Sequence, residues 1–463
     1  MTEYTLKPFY QFNHKDISLV ININNMQAAS VDKQTAGILS QLSANPAPDA
    51  IFSHKQMLKS FNLLSCGKAG TCKTSPLKDG FFITNVALFL TQSCNLRCIY
   101  CYGNGGEYGK KGHMDETTAL QAIDWLLDQS EKKKQISIGF FGGEPFLNFP
   151  LMKTVVASAK KKSEEKSKQV LFKVTTNATL LTDERIAFMK AHDMDVMVSL
   201  DGPRNIQDLQ RPYASGKGSY EDVARNCRKL LKVMPQTHVH AVLMDDNDPG
   251  IIKTALSQLG FQSISIVTAS DPLSDMNKNF KNNNKNMRPI ISSMEQDADN
   301  WLIHIRERRK KGLYNAQSNS LIYPAILALF HNRKKFYACG AGLGMASVSI
   351  NGDIYLCHRF VGQKKYKIGT VFNKELDREE YKKNVTCNEF CQDCFARYYC
   401  AGGCKYDNVS KWESVFQPAE DICQVKRREL ELAAYVVSCL DESDKAWLIN
   451  EDVLPPKPCM LDF

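Results

Sequence analysis

No stretch of this chain approaches the 18 or so consecutive uncharged apolar residues that a membrane-crossing helix needs, so no span is expected. The opening residues, Met-Thr-Glu-Tyr-Thr-Leu-Lys, lack a basic region followed by an apolar core, which argues against a secretory signal. Acidic residues are the scarcer charge: 50 Asp and Glu against 59 Lys and Arg, a net +9. Much of the excess lies in runs such as Lys132–Lys134 and Lys160–Lys162, which suit solvated helix ends. No nucleic-acid-binding motif accompanies the charge, so a nucleic-acid partner is not expected, whereas an acidic peptide is compatible with it. Hydrophobic residues make up 43% and charged residues 24%, the balance of a soluble globular protein. Cysteine, by contrast, is plentiful. Sixteen in a chain without a secretory signal point to metal ligation rather than disulfides, and to a reducing cytoplasm.

Three of them are spaced Cys94-x3-Cys98-x2-Cys101, directly after the apolar run Val86–Leu90. A strand that ends in a three-thiolate loop can hold a cubane iron–sulfur cluster by three irons and leave the fourth open to a small molecule. A structural zinc site is the competing reading, but zinc takes paired C-x2-C knuckles, which this spacing fits poorly. The triplet, with aromatic Tyr100 just before its last cysteine, resembles the signature of the radical S-adenosylmethionine (SAM) enzymes. The resemblance implies that the open iron chelates SAM and that one electron releases a 5′-deoxyadenosyl radical. Cys94, Cys98 and Cys101 are then the catalytic ligands.

The chain reads as three zones, 1–80, 81–290 and 291–463. In the first, Ile17–Asn22 reads as a strand, and 31–42 as a helix with Asp32 as its cap. A second helical stretch, 54–64, completes a small winged-helix-like unit, which ends in a loop with Cys66 and Cys72. In the second zone six strands, 81–90, 135–141, 171–176, 195–200, 238–243 and 263–267, alternate with amphipathic helices. This α/β pattern predicts a partial (β/α)6 barrel with its site at the C-terminal strand ends. Residues 271–288, polar and rich in Asn and Lys, read as a linker. The third zone has too few apolar runs for a large core of its own, so clusters are expected to hold it together.

The expected SAM-binding residues all lie at strand ends. Gly142, Gly143 and Glu144 follow the second strand and resemble the family's Gly-Gly-Glu motif; two glycines let backbone approach a ligand. Thr176 and Asn177 end the third strand, and Ser199 and Asp201 the fourth. Arg211 is a candidate cation for the methionine carboxylate, and Tyr100 joins the set.

Cys339-x12-Gly352-x4-Cys357 is followed by Cys391-x2-Cys394-x5-Cys400-x3-Cys404 and, after 18 intervening residues, Cys423. This order resembles the SPASM domain of peptide and protein maturases. The resemblance implies two auxiliary [4Fe–4S] clusters, hence three in all. One is held by Cys391, Cys394, Cys400 and Cys423, the other by Cys339, Cys357 and Cys404. Cys387 is taken to complete the latter; the alternative is a plain cysteine and an iron left open for substrate. Cys66, Cys72, Cys227, Cys439 and Cys459 have no assigned role.

The first zone resembles the recognition element of enzymes that modify ribosomally made peptides, where a leader adds as a strand to a small sheet. The strand at Ile17–Asn22 is the expected acceptor, and deletion of the zone is expected to leave SAM cleavage nearly intact. The stretches 101–109 and 356–362 resemble maturases of the ranthipeptide and SCIFF type, which form thioethers from cysteine sulfur to a carbon of another residue. Expected partners are a leader-bearing precursor peptide and an electron donor such as flavodoxin or ferredoxin. The nearest alternative is an anaerobic sulfatase-maturing enzyme, which places an acid right after the second SPASM cysteine, where this chain has His358. Carbon–carbon cross-linking or epimerisation is a third reading, with Cys227 as a weak hydrogen donor.

Overall fold

The computed structural model describes residues 4–66, 80–244, 247–273, 287–311 and 320–450. The expectations for Cys72, Cys459 and most of the linker fall outside those residues.

The chain begins with β1 (Tyr4–Leu6), β2 (Phe9–His14), β3 (Ile17–Asn22) and β4 (Gln27–Val31), then α1 (Lys33–Ala44), α2 (Pro48–Ser53), α3 (Lys55–Ser60) and β5 (Leu64–Cys66). β1 pairs with β5, and β2, β3 and β4 form an antiparallel sheet with β3 in the middle. Asp32 caps α1 by accepting from the Thr35 amide at 2.7 Å. Both faces of β3 are covered. Val20 faces Leu39, Leu42, Ile51, Leu58 and Leu63 of the helical layer, whereas Leu19, Ile21, Ile23 and Met26 join the main core of the molecule. The central position of β3 corrects one expectation. Its backbone is hydrogen-bonded on both sides, so Ile17–Asn22 cannot accept a further strand; an added peptide must use an outer strand.

Next come β6 (Asn85–Gln92), β7 (Gly112–His113), α4 (Glu116–Gln129), β8 (Gln135–Gly142), α5 (Phe149–Glu165), β9 (Gln169–Thr176), α6 (Asp183–Ala191), β10 (Asp195–Ser199), α7 (Arg204–Gln210), α8 (Tyr220–Val233), β11 (His238–Leu243), α9 (Pro249–Leu259) and β12 (Ser263–Thr268). β6, β8, β9, β10, β11 and β12 are parallel and adjacent in chain order, the six β/α repeats expected. β11 shows how its faces divide. Val239, Ala241 and Leu243 are buried against the helices, and His238, His240 and Val242 alternate with them on the part-accessible inner face.

The last part contains α10 (Arg288–Lys310), α11 (Tyr323–Phe330), β13 (Met345–Val348), β14 (Asp353–Tyr355), β15 (Lys367–Thr370), α12 (Arg397–Cys400), α13 (Lys405–Trp412) and α14 (Glu420–Ser438). β13 runs parallel to β6 with Ser347 opposite Ala87, and β14 and β15 extend the same sheet. The third zone therefore continues the barrel sheet, and Ile354, Leu356, Phe360, Tyr406 and Leu430 belong to the main core. Apolar packing, and not clusters alone, holds it. α14 packs on α10, α11, β3 and β4, so it joins the N-terminal sheet to the rest.

Candidate functional site

The Cys94–Cys101 loop leaves the end of β6 and is fastened to the segment after α7. The Arg97 amide donates to the Pro212 carbonyl at 2.8 Å, and that of Ile99 to the Gln210 carbonyl at 3.0 Å. Burial pushes the Cys94 thiol up to about 11 and the Cys98 thiol up to about 12. The neighbouring thiolates, Cys101 among them, add to both shifts, and Arg211 offsets part of each. Cys94 and Cys98 are thus held where their anions lack support, and with Cys101 they form a donor set suited to a cationic iron–sulfur group. Among the described residues, no three His, Cys, Asp or Glu side chains converge closely enough to share one metal ion. A cubane spreads its thiolates over a whole cluster.

Gly142 and Gly143 are explained by close backbone packing. A Cβ on Gly142 would lie 2.0 Å from the Thr91 carbonyl oxygen, and one on Gly143 2.0 Å from that of Ser93. The amides of Gly143 and Glu144 donate to those same two carbonyls, so they are not free for a ligand. Glu144 also turns inward. Its carboxylate accepts from Thr176 Oγ1 at 2.9 Å, the Asn177 amide at 2.8 Å and the Phe146 amide at 3.2 Å. Burial raises its pKa to about 7. Glu144 and Thr176 therefore tie β8 to β9 behind the loop. Asn177 reaches the loop itself, donating to Asn95 Oδ1 at 3.0 Å and Cys94 Sγ at 3.7 Å. Glu144→Gln would set an amide N–H against one of these donors. We expect a loss of about 1–3 kcal/mol in stability by thermal unfolding, with weaker SAM binding by calorimetry.

Asp201, fully buried, is likewise occupied by protein. It accepts from Tyr100 Oη at 2.6 Å, Gln210 Nε2 at 2.8 Å and the Val242 amide at 3.0 Å. Arg211 donates to Tyr100 Oη at 2.7 Å and lies 3.8 Å from Asp201. This network locks the tyrosine before Cys101 to the ends of β10 and β11. Among the described residues, Arg211 Nε is buried without a hydrogen-bond partner, which leaves a donor for a ligand carboxylate. Ser199 lies on the inner face in register with His240. Of the expected SAM contacts, Arg211 keeps a spare donor and Ser199 is half-buried, whereas Glu144, Thr176, Asn177, Asp201 and Tyr100 are engaged in hydrogen bonds within the protein.

The structure brings the other cysteines together in two groups. The Cys404 thiolate feels those of Cys339 and Cys357, and burial holds its thiol up at about 12. The Cys423 thiolate feels Cys400 and Cys394, and Cys391 faces the same two. Cys387 is exposed, unlike the buried Cys357, which favours the alternative of a plain cysteine over completion of the Cys339 set. Cys387→Ser should therefore retain the full complement of about twelve irons for three cubanes on reconstitution, checked by iron assay.

Four residues near the thiol groups were given no role by the sequence: Tyr102, His240, Arg359 and Tyr406. The Tyr102 ring lies 5.8 Å from Tyr406 and 6.2 Å from His358, and His358 lies 4.6 Å from Phe141. Burial, then Arg359 and His240, lowers the His358 pKa to about 3; burial and His238 foremost lower that of His240 to about 4. Both imidazoles are neutral near pH 7. The alternation His-Val-His-Ala-Val-Leu in β11 was a sequence signal for an inward His240; nothing in the sequence placed Arg359 beside Tyr102.

A strand-end thiol triplet in a parallel β/α sheet, with two more thiol groups beyond it, defines a class. The Radical SAM superfamily matches residues 88–256. An uncharacterized protein of Methanocaldococcus jannaschii is 30% identical over 282 residues, which cover 60% of this chain and 86% of that protein. The cysteine-type anaerobic sulfatase-maturating enzyme of Clostridium novyi is 24% identical over 335 residues, 68% of this chain and 86% of the enzyme. Among solved structures, native anSMEcpe with bound AdoMet and Cp18Cys peptide superposes with a TM-score of 0.60 at 19% identity, covering 76% of this chain and 98% of that one. The chain belongs to the radical SAM superfamily. Its fold, an α/β protein with a parallel-sheet radical SAM core, is shared with that solved structure. Among the described residues, no helix is long and apolar enough to cross a membrane.

Proposed function

We propose that this chain matures a ribosomally synthesised precursor peptide by forming thioethers from cysteine sulfur to a carbon of another residue. One observation carries the reading. The segment after Cys101 and the Cys339, Cys357 and Cys404 group are joined by packed side chains, Tyr102 on Tyr406 and Arg359 on both rings and on Cys404. When bound, the SAM-loaded cluster supplies a hydrogen-abstracting deoxyadenosyl radical, and an auxiliary cluster takes up one electron. The chain's residues do the rest. Cys94, Cys98 and Cys101 hold the first cluster; Arg211 orients its ligand. Phe141, Tyr102 and the neutral His358 wall the space between the thiol groups, exclude water and offer the substrate a hydrogen-bonding imidazole.

A peptide substrate is supported by the peptide in the related solved structure. A thioether product is favoured by His358 in the place of an acid and by the N-terminal sheet with its outer strands. The sulfatase-maturing reading has its own support in the Clostridium novyi relative. Mass spectrometry decides between them, with the reconstituted enzyme, SAM, reductant and the cysteine-bearing peptide encoded beside the gene. A product two hydrogens lighter, with one fewer alkylatable thiol, is expected. An aldehyde formed from a single cysteine in a sulfatase peptide, with no cross-link in the neighbouring peptide, would install the alternative.

A further inference from the structure

Arg359 reaches both the Cys339 group and the segment after Cys101. Its Nη1 donates to Cys404 Sγ at 3.3 Å, and its Nη2 lies 3.0 Å from Asp407 Oδ1. The guanidinium carbon sits 4.0 Å from the centre of the Tyr406 ring and 5.5 Å from that of Tyr102, the residue after Cys101. The ion pair is mostly buried, with side-chain exposures of 16% and 14%. Arg359 follows Cys357 by two residues, and Asp407 lies one turn of α13 beyond Cys404. Cation and counter-charge are therefore both fixed to the chain segments that supply the thiols.

We propose that Arg359 sets the reduction potential of the auxiliary cluster held by Cys339, Cys357 and Cys404, with Asp407 as the opposing charge. The proposal rests on the reading that these three cysteines hold a cluster. Adding an electron to a thiolate-bound cluster increases its negative charge. A guanidinium N–H aimed at a ligand sulfur stabilises the reduced form and raises the potential, and a carboxylate on the same guanidinium opposes it. Burial gives both charges more weight than they would have at the surface. The two residues must then act with opposite sign. A salt bridge that merely braced α13 would give no such pair of signs.

The test uses the full chain with Cys94, Cys98 and Cys101 replaced by alanine, so that only auxiliary clusters remain. Redox titration followed by electron paramagnetic resonance is compared for this protein and for Arg359→Gln, Arg359→Lys and Asp407→Asn in the same background. At the parent's midpoint, Arg359→Gln should lower the ratio of reduced to oxidised cluster about tenfold, or about 59 mV for a one-electron couple. Asp407→Asn should raise it by a similar factor, and Arg359→Lys, which keeps the charge and loses the fork, should fall between parent and Gln. The second auxiliary signal serves as internal control and should move little. If Arg359→Gln sheds iron, the Lys and Asn variants still carry the test. About eight irons with unmoved midpoints, or shifts of the same sign in Arg359→Gln and Asp407→Asn, would overturn the proposal. About four irons in the parent, with one signal missing, would instead sink the reading that the Cys339 group holds a cluster.

Discussion

Joint replacement of Cys94, Cys98 and Cys101 by alanine should abolish deoxyadenosine formation while about eight of about twelve irons remain bound. The loop is fastened by backbone bonds to Gln210 and Pro212 and by the Leu96–Tyr213 bridge, none of which uses a thiol. The frame behind it, Glu144 to Thr176 and Tyr100 to Asp201, is likewise independent of sulfur. The variant should therefore fold, keep its auxiliary clusters and lose only the radical step. Chromatographic assay of deoxyadenosine and an iron assay on the same preparation check both halves. Undiminished deoxyadenosine would remove the triplet from its role.

Deletion of residues 1–80 should strip iron from the auxiliary site or leave the protein insoluble. This revises the expectation that the zone can be removed with SAM cleavage intact. Leu19, Ile21, Ile23 and Met26 are 0–5% exposed within the main core. At about 1.5–3 kcal/mol each, their burial contributes roughly 6–12 kcal/mol, the size of a whole domain's stability. They pack where α14 meets the N-terminal sheet, and α14 carries Cys423 in its first turn. The Tyr10 ring stacks at 3.7 Å on Phe395, the residue after Cys394. Peptide capture is therefore best tested in the full chain. With the leader of the neighbouring precursor peptide bound, amide hydrogen exchange should slow in one outer strand, β2 or β4, and stay unchanged in β3. Protection confined to β3, or none in the sheet, would end the case for strand addition.

The barrel strands were legible because period-two alternation and turn residues bracket each of them, and the structure places all six within a few residues of the expected ends. The triplet was legible because spacing alone decides whether three thiols share one loop. The inner network was not. Glu144, Asp201 and Thr176 sit at strand ends where a polar side chain can serve a ligand or a neighbouring strand. Only three-dimensional pairing shows that here they serve the strands. The same holds for Cys387: spacing admits it to the Cys339 group, and its exposure, which the sequence did not reveal, favours a plain cysteine. The pairing of β13 with β6 joins residues more than 250 positions apart, and no local pattern announces such a contact.

That pairing works as a ruler. β6 delivers Cys94 at one end of the sheet, and the chain leaving β13 and β14 delivers Cys357. Ser347 opposite Ala87 fixes how far one rail is advanced along the other. A slip of one residue would displace Cys357 by about 3.3 Å relative to Cys94 and turn every side chain of β13 to the opposite face. Electron tunnelling weakens steeply with such a gap. If both thiol sets carry clusters, as proposed, the hydrogen-bond register of two strands, remote from any sulfur, would set the gap across which charge has to pass.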